Sequence, residues 1–250
     1  MQIADSTILV TGANRGLGKA LVKEALRRGA KCIYAGARQR FAHTNPRVTP
    51  LLLDITNAAQ IRTAAEHVGG LDILINNAGI SLQNDLGDRA ALERLLAVNL
   101  FGTYDVTLAF LPVLTPSRSA VVNVLSLASL AAVPFDSLYS ISKAAAFSLS
   151  QSLRALLAAR GVSVHAVFPG PIDTDMTRDL EIPKASAEST ARAIFDGVAE
   201  DDEEIFPDPM SAAIAEGWHS SAVKQLQRQF AEYVVQSPVK SSAATASVHH

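Results

Sequence analysis

Apolar positions along this chain fall into two alternating patterns. Short continuous runs occupy residues 7–10, 31–35, 47–53, 73–75, 120–125, 163–168 and, more weakly, 204–206. Between them lie stretches with apolar residues at helical spacing, at 17–28, 57–68, 89–98, 101–114, 139–160, 186–199 and 211–234. Continuous apolar runs flanked by amphipathic helices predict strands buried on both faces, hence a parallel sheet with helices on each side. Right-handed crossovers then give an α/β, Rossmann-type doubly wound sheet of about seven strands, with ligands at the carboxyl ends of the strands. No composition shift marks an internal boundary, so residues 1–235 read as one domain. Residues 236–250, rich in Ser and Ala without periodicity, read as a flexible C-terminal tail.

Composition narrows the function. The chain has 250 residues, 48% hydrophobic and 18% charged, enough for one large core. A net charge of -2 gives no electrostatic case for nucleic acid or an anionic membrane. The longest apolar region, 120–135, is interrupted by Asn123, Ser126 and Ser129 and is too short to span a bilayer. The chain enters a strand almost at once without a basic start, so no signal peptide is expected. The single cysteine, Cys32, reads as buried filler of the second strand, and a cytoplasmic location is expected. No His/Cys spacing suits a metal. His249 and His250 read as a tag remnant.

Candidate chemistry sits at strand ends. The run Ile8-Leu9-Val10 is followed by Thr11-Gly12-Ala13-Asn14-Arg15-Gly16-Leu17-Gly18 and then a helix. Strand, glycine turn and helix form the context of a dinucleotide site. Gly12 makes the turn, Gly16 admits a pyrophosphate and Gly18 allows close helix packing, while the helix N-terminus offers N–H groups to phosphate. Farther along, Tyr139 and Lys143 stand four residues apart and share a helix face. A cation beside a phenol lowers its pKa from about 10. Ser126, on a strand end, offers a hydroxyl to the same substrate oxygen. Taken alone, Tyr-x-x-x-Lys also describes an ordinary solvated helix face.

These motifs, in this order, resemble the short-chain dehydrogenase/reductase family over roughly the first 180 residues. Thr11 to Gly18 is similar to its glycine turn. Asp54, with Ile55 after it, resembles the acidic position that contacts adenine. Asn76-Asn77-Ala78-Gly79 resembles its Asn-Asn-Ala-Gly, and Pro169-Gly170-Pro171-Ile172-Asp173-Thr174 resembles the segment that clasps the nicotinamide. The resemblance implies a catalytic tetrad of Asn99, Ser126, Tyr139 and Lys143, with Lys143 also holding the nicotinamide ribose and Asn99 anchoring a water. It implies cofactor contacts from Gly12, Asn14, Arg15, Gly16, Leu17, Gly18, Arg38, Asp54, Ile55, Asn77, Ala78, Gly79, Tyr139, Lys143, Pro169, Gly170, Ile172 and Thr174, with Asn76 beside them. At the end of the second strand Ala37 stands where an NAD site carries an acid, and Arg38 follows. Arg15 and Arg38 together favour the 2′-phosphate of NADP(H) over NAD(H). Asp54 also reads as a cap of the next turn, and Asn99 as a kink or cap within its helical region.

The implied reaction is NADPH-dependent reduction of a ketone or aldehyde to an alcohol, reversible, with Tyr139 as general acid. The alternatives are an NAD-dependent alcohol dehydrogenase and a dinucleotide-binding redox sensor without turnover. Substrate identity is open. The segment 175–187, with Met176, Leu180 and Ile182, and residues Leu127, Val133, Pro134 and Phe135 suggest an apolar, open pocket. The acidic run Glu200-Asp201-Asp202-Glu203-Glu204 reads as a solvated turn, and Trp218 as a pocket cap or a subunit contact. The family's dimer faces correspond to the helices near 101–114 and 139–160, so a homodimer or homotetramer is expected.

Overall fold

The computed structural model describes residues 1–82, 86–114 and 119–236. The tag-like histidines and the tail beyond Gln236 lie outside them. Seven strands, β1 (Thr7–Thr11), β2 (Cys32–Ala37), β3 (Val48–Leu52), β4 (Ile73–Asn76), β5 (Ser119–Val124), β6 (Val162–Val167) and β7 (Glu204–Ile205), form one sheet in the order β3-β2-β1-β4-β5-β6-β7. Every pairing is parallel. The direction of winding reverses between β1 and β4, which opens a crevice beyond their carboxyl ends.

Alternation along each strand supplies both faces. Ile8 and Val10 of β1 enter one core with Ile33, Ile73, Ile75, Ala120 and Val122. Helices α1 (Gly16–Arg27) and α6 (Ala187–Glu200) cover it through Leu21 and through Ile194 and Phe195. Leu9, between them, enters the opposite core with Leu74, Val121 and Val164. There α2 (Ala58–His67), α4 (Thr103–Phe110) and α5 (Ser137–Leu157) contribute Ile61, Phe110 and Leu153. Burial of each such side chain is worth about 1.5–3 kcal/mol. This is why the strands are apolar at consecutive positions.

Helix α3 (Arg89–Leu96) runs through a π-helical turn at Ala97–Gly102 into α4. The continuous stretch Arg89–Val113 is long and apolar enough, by length and composition alone, to cross a membrane. Here it covers the sheet. Val106 and Phe110 face inward, while Phe101, Tyr104 and Leu108 face out.

Three expectations need correction. The helix expected over 211–234 is two, α7 (Pro209–His219) and α8 (Ala222–Gln236), separated at Ser220 and Ser221. The acidic run is not a simple solvated turn. Glu204 is buried and meets Arg154 Nη1 at 2.7 Å and Lys224 Nζ at 2.7 Å, while Glu203 meets Lys224 Nζ at 2.5 Å. That charge cluster pins α8 to β7. Cys32 is a free thiol and only half-buried, because it opens β2 at the rim of the sheet.

Candidate active site

The glycine turn follows β1 with Gly12 at φ +66° and Gly16 at φ +49°, the left-handed region that favours glycine. Ala13 N–H donates to the Gly36 carbonyl at 2.9 Å, which ties the turn to β2. The chain leaving β4 is stitched to it as well. Thr11 Oγ1 accepts the N–H groups of Asn77 and Ala78, each at 3.0 Å, and Asn77 Nδ2 donates to the Thr11 carbonyl at 2.8 Å. Asn77 is therefore a brace of the turn. Arg15 occupies the N-cap of α1 without capping it, and no acidic residue lies in the first turn. The N–H groups there suit an anion such as a pyrophosphate. Asn14, Arg15 and Gly16 are exposed, whereas Leu17 and Gly18 are buried behind them.

Arg38 is exposed just past β2, next to the buried Ala37, with no acid at the strand end. Arg15 reaches the other way, to Asp175 at 3.3 Å. Asp54 caps its own turn, accepting Thr56 N–H at 2.9 Å and Thr56 Oγ1 at 2.7 Å. Ile55 turns its side chain into the core. Asn76 is a correction: its side chain is buried and donates to Thr107 Oγ1 and Asn123 Oδ1, each at 2.9 Å. Asn123 in turn donates to Ser150 Oγ at 2.9 Å. That polar ladder joins β4, β5, α4 and α5 behind the cofactor crevice rather than lining it.

The four residues of the implied tetrad meet at this edge. Tyr139 and Lys143 lie on α5, and the Lys143 ammonium stands 5.8 Å from the Tyr139 ring centre. Lys143 Nζ donates to the Val124 carbonyl at 2.9 Å, at the end of β5. Ser126, two residues later, hydrogen-bonds the Tyr139 hydroxyl. Asn99 lies in the π-helical turn Ala97–Gly102. Its Nδ2 donates to the Ile80 carbonyl and to Ser142 Oγ, each at 2.9 Å, and its Oδ1 accepts Ile80 N–H at 2.9 Å. The Asn99 amide is thus spent on protein partners, and it clips the chain after Gly79 to α5.

Burial pushes the Tyr139 hydroxyl up to about 12; the Ser126 hydrogen bond opposes this and the nearby Asp136 charge adds to it. Burial also pushes Lys143 down to about 8. The expected lowering of Tyr139 by Lys143 is not met within the protein itself. The ammonium is directed at the Val124 carbonyl, and desolvation of the phenolate prevails. The phenol carries its proton at neutral pH, which suits a proton donor.

The segment 169–174 crosses the same edge. Leu127 N–H donates to the Pro169 carbonyl at 3.0 Å, linking it to the Ser126 turn. Ile172 is buried and bridges to Ala185, so 173–184 is a closed excursion. Thr174 Oγ1 is 3.4 Å from the Ile172 carbonyl. Sequence reasoning missed the anchor of this segment. Asp208 accepts the Gly170 N–H at 2.8 Å and, in the same carboxylate, caps α7 through Met210 and Ser211 N–H, each at 3.1 Å. An N-cap aspartate before a proline was the available signal. Trp218 packs at 5.7 Å from Phe147 and 6.3 Å from Phe168, as a core contact beside the site.

Comparison with known proteins agrees with this geometry. Residues 6–185 match the short chain dehydrogenase family. An uncharacterized oxidoreductase of Staphylococcus saprophyticus is 30% identical over 197 residues, 72% of this chain and 84% of that protein. Human retinol dehydrogenase 16 is 35% identical over 189 residues, 70% of this chain but 59% of the relative. A crystal structure of a short chain dehydrogenase from Burkholderia cenocepacia in complex with NADP is 36% identical, with a TM-score of 0.83 over 92% of this chain and 98% of that one.

Proposed function

This chain belongs to the short-chain dehydrogenase family, as an NAD(P)-dependent oxidoreductase acting on CH–OH groups, and from that premise we propose that it reduces a ketone or aldehyde with NADPH. One observation carries the reading: Ser126, Tyr139 and Lys143 converge at the strand edge that also bears the glycine turn.

The nicotinamide cofactor supplies the hydride when bound. Tyr139 donates its phenolic proton to the carbonyl oxygen, and Ser126 donates a hydrogen bond to the same oxygen and orients it. Lys143 would hold the ribose hydroxyls of the bound cofactor and would return a proton toward Tyr139. Asn99 and Asn77 act as braces that keep α5 and the glycine turn in register. Asp208 holds the carboxamide-binding segment in place through Gly170.

Arg38 and Arg15 support NADP over NAD, because two guanidinium groups can share the 2′-phosphate. One observation favours NAD as the second reading: Asp175 already engages Arg15. The segment after the 169–174 stretch exposes Met176, Leu180 and Ile182, with Arg178, Asp179 and Glu181 exposed between them; its apolar residues are offered to the substrate. It suits a lipophilic carbonyl compound, in keeping with the retinol named for one relative. The outward residues Phe101, Tyr104 and Leu108 of the π turn and α4, with Ile141 of α5, suit a second copy of this chain.

The test is consumption of NADPH and NADH against a panel of aldehydes and ketones, with Tyr139→Phe and Arg38→Ala beside the wild type. Expected are carbonyl-dependent loss of NADPH, turnover lowered by ~10²–10⁴ in Tyr139→Phe with cofactor binding kept, and a reduced NADPH preference in Arg38→Ala. Near-normal turnover in Tyr139→Phe would overturn the assignment. Light scattering of the protein in solution tests the dimer or tetramer.

A further inference from the structure

We propose that Asp136, with Ser81 beside it, binds a hydrogen-bond donor of the substrate, a hydroxyl or an ammonium, one helical turn from the reacting carbonyl. The proposal rests on the reductase reading above and names a substrate class for that site: an apolar ketone or aldehyde that carries a single polar donor.

Aspartate is among the strongest N-capping residues. Asp136 holds the N-cap of α5, at φ −137° and ψ 48°, yet its side chain makes no capping bond. The carboxylate accepts the Ser81 hydroxyl at 3.1 Å instead, on the chain leaving β4. Ile80 and Leu82, on either side of Ser81, pack against the same Ala91, Leu95 and Leu138 cluster as Tyr139. The carboxylate therefore joins the start of α5 to the chain after β4, near the reacting hydroxyl.

Its electrostatics leave it open to a partner. Partial burial pushes the Asp136 carboxyl up, opposed by the Ser81 hydrogen bond. An ionised carboxylate accepts at about four positions; Ser81 fills one, and because Asp136 is only half-buried the others are open to solvent or to a ligand. A substrate donor can take one of them as a charge-assisted hydrogen bond, and a substrate without one cannot.

Placement puts Asp136 beside the reacting group. It is the N-cap residue three positions before Tyr139, and Lys143 lies four positions after Tyr139 with its Nζ on the Val124 carbonyl. Phe135, next to Asp136, is 77% exposed, so this end of α5 is open to solvent. Asp136 is also close enough for its charge to act on the Tyr139 hydroxyl.

The experiment compares three ketones that share one apolar skeleton and differ at one carbon a few bonds from the carbonyl by methyl, hydroxyl or ammonium. kcat/KM is measured with NADPH for the wild type, Asp136→Ala, Asp136→Asn and Ser81→Ala, with NADPH binding followed by fluorescence as a check of the fold. The wild type should favour the donor-bearing ketones by about 10- to 100-fold over the methyl ketone. Asp136→Ala should remove that preference by slowing only the donor-bearing ketones. Asp136→Asn should keep part of the preference for hydroxyl and lose that for ammonium. No wild-type preference, or an equal loss on all three ketones in Asp136→Ala, overturns the proposal while leaving the reductase reading intact. Tight NADPH binding without turnover of any ketone overturns the reductase reading and this proposal with it.

Discussion

Replacing Gly18 with alanine tests how the glycine turn works. A Cβ at this position would stand 2.1 Å from the Gly12 carbonyl oxygen, 2.8 Å from its carbon and 2.7 Å from Asn77 Nδ2. Even a close C···O contact needs about 3.3 Å, so the helix and the Gly12 peptide must separate by roughly 1 Å. Neither can yield alone. Asn77 Nδ2 holds the Thr11 carbonyl at 2.8 Å, Ala13 N–H holds the Gly36 carbonyl at 2.9 Å, and Leu17 is wedged in the core. The start of α1 therefore shifts away from the phosphate position. A displacement of about 1 Å costs on the order of 10² in a positioned interaction, and overpacking costs about 1–3 kcal/mol of stability. The assay is NADPH titration by fluorescence, paired with thermal unfolding. Gly217→Ala is the control, since nothing lies within 4 Å of its Cβ position on α7; it should stabilise by about 0.5–1 kcal/mol. If Gly18→Ala binds NADPH within about twofold of the wild type, under ~0.4 kcal/mol, the packing argument is wrong.

Three further outcomes follow from the site and its supports. Asp208→Ala removes both the α7 cap and the acceptor for Gly170 N–H, so it should cost about 2–4 kcal/mol and raise KM for the cofactor; an unchanged urea midpoint together with an unchanged KM would refute the anchoring role. Because the Tyr139 hydroxyl is pushed up to about 12, alcohol oxidation, which needs the phenolate, should climb with pH through the alkaline range, whereas carbonyl reduction should stay level near neutrality; an oxidation rate independent of pH counts against Tyr139 as the base. Glu24 is held down to about 2 from 4.5, first by its Arg27 hydrogen bond and also by Arg28, against the opposing effect of burial. Its carboxylate is depressed in the folded state, so its contribution is complete above 4.5 and is lost as pH falls toward about 2. The stability gap between wild type and Glu24→Gln, read by urea unfolding at a series of pH values, should therefore narrow over that window and not above it.

Local features were the legible ones. The runs that became β1, β4, β5 and β6 are apolar at consecutive positions because each strand is covered on both faces, and that demand is written residue by residue. The glycine turn was legible because its backbone needs glycine at fixed places. Tyr139 and Lys143 were legible because four residues on a helix bring two side chains to one face. Their common location at the carboxyl edge follows from the parallel order of the sheet.

What the chain order concealed was contact between distant segments. Nothing near Asn76 says that it faces Thr107 and Asn123 and Asn77 the glycine turn, since the pleat sends neighbours to opposite sides. Glu204 lay in an acidic run that looked solvated, and only α8 folding back with Lys224 buries it. Asp208 reaches Gly170 across 38 residues and Asp136 reaches Ser81 across 55. The protonation of Tyr139 belongs to the same class. Sequence placed a lysine beside the phenol, but the desolvation that keeps it protonated is summed over every segment packed around it. The sequence by itself determined the strands, most of the helices, the parallel character of the sheet and the shared face of Tyr139 and Lys143, because these depend on spacing within a few residues. The tertiary structure alone decided which polar side chains brace, which face the cleft and which charges are buried, because those depend on who is near in space.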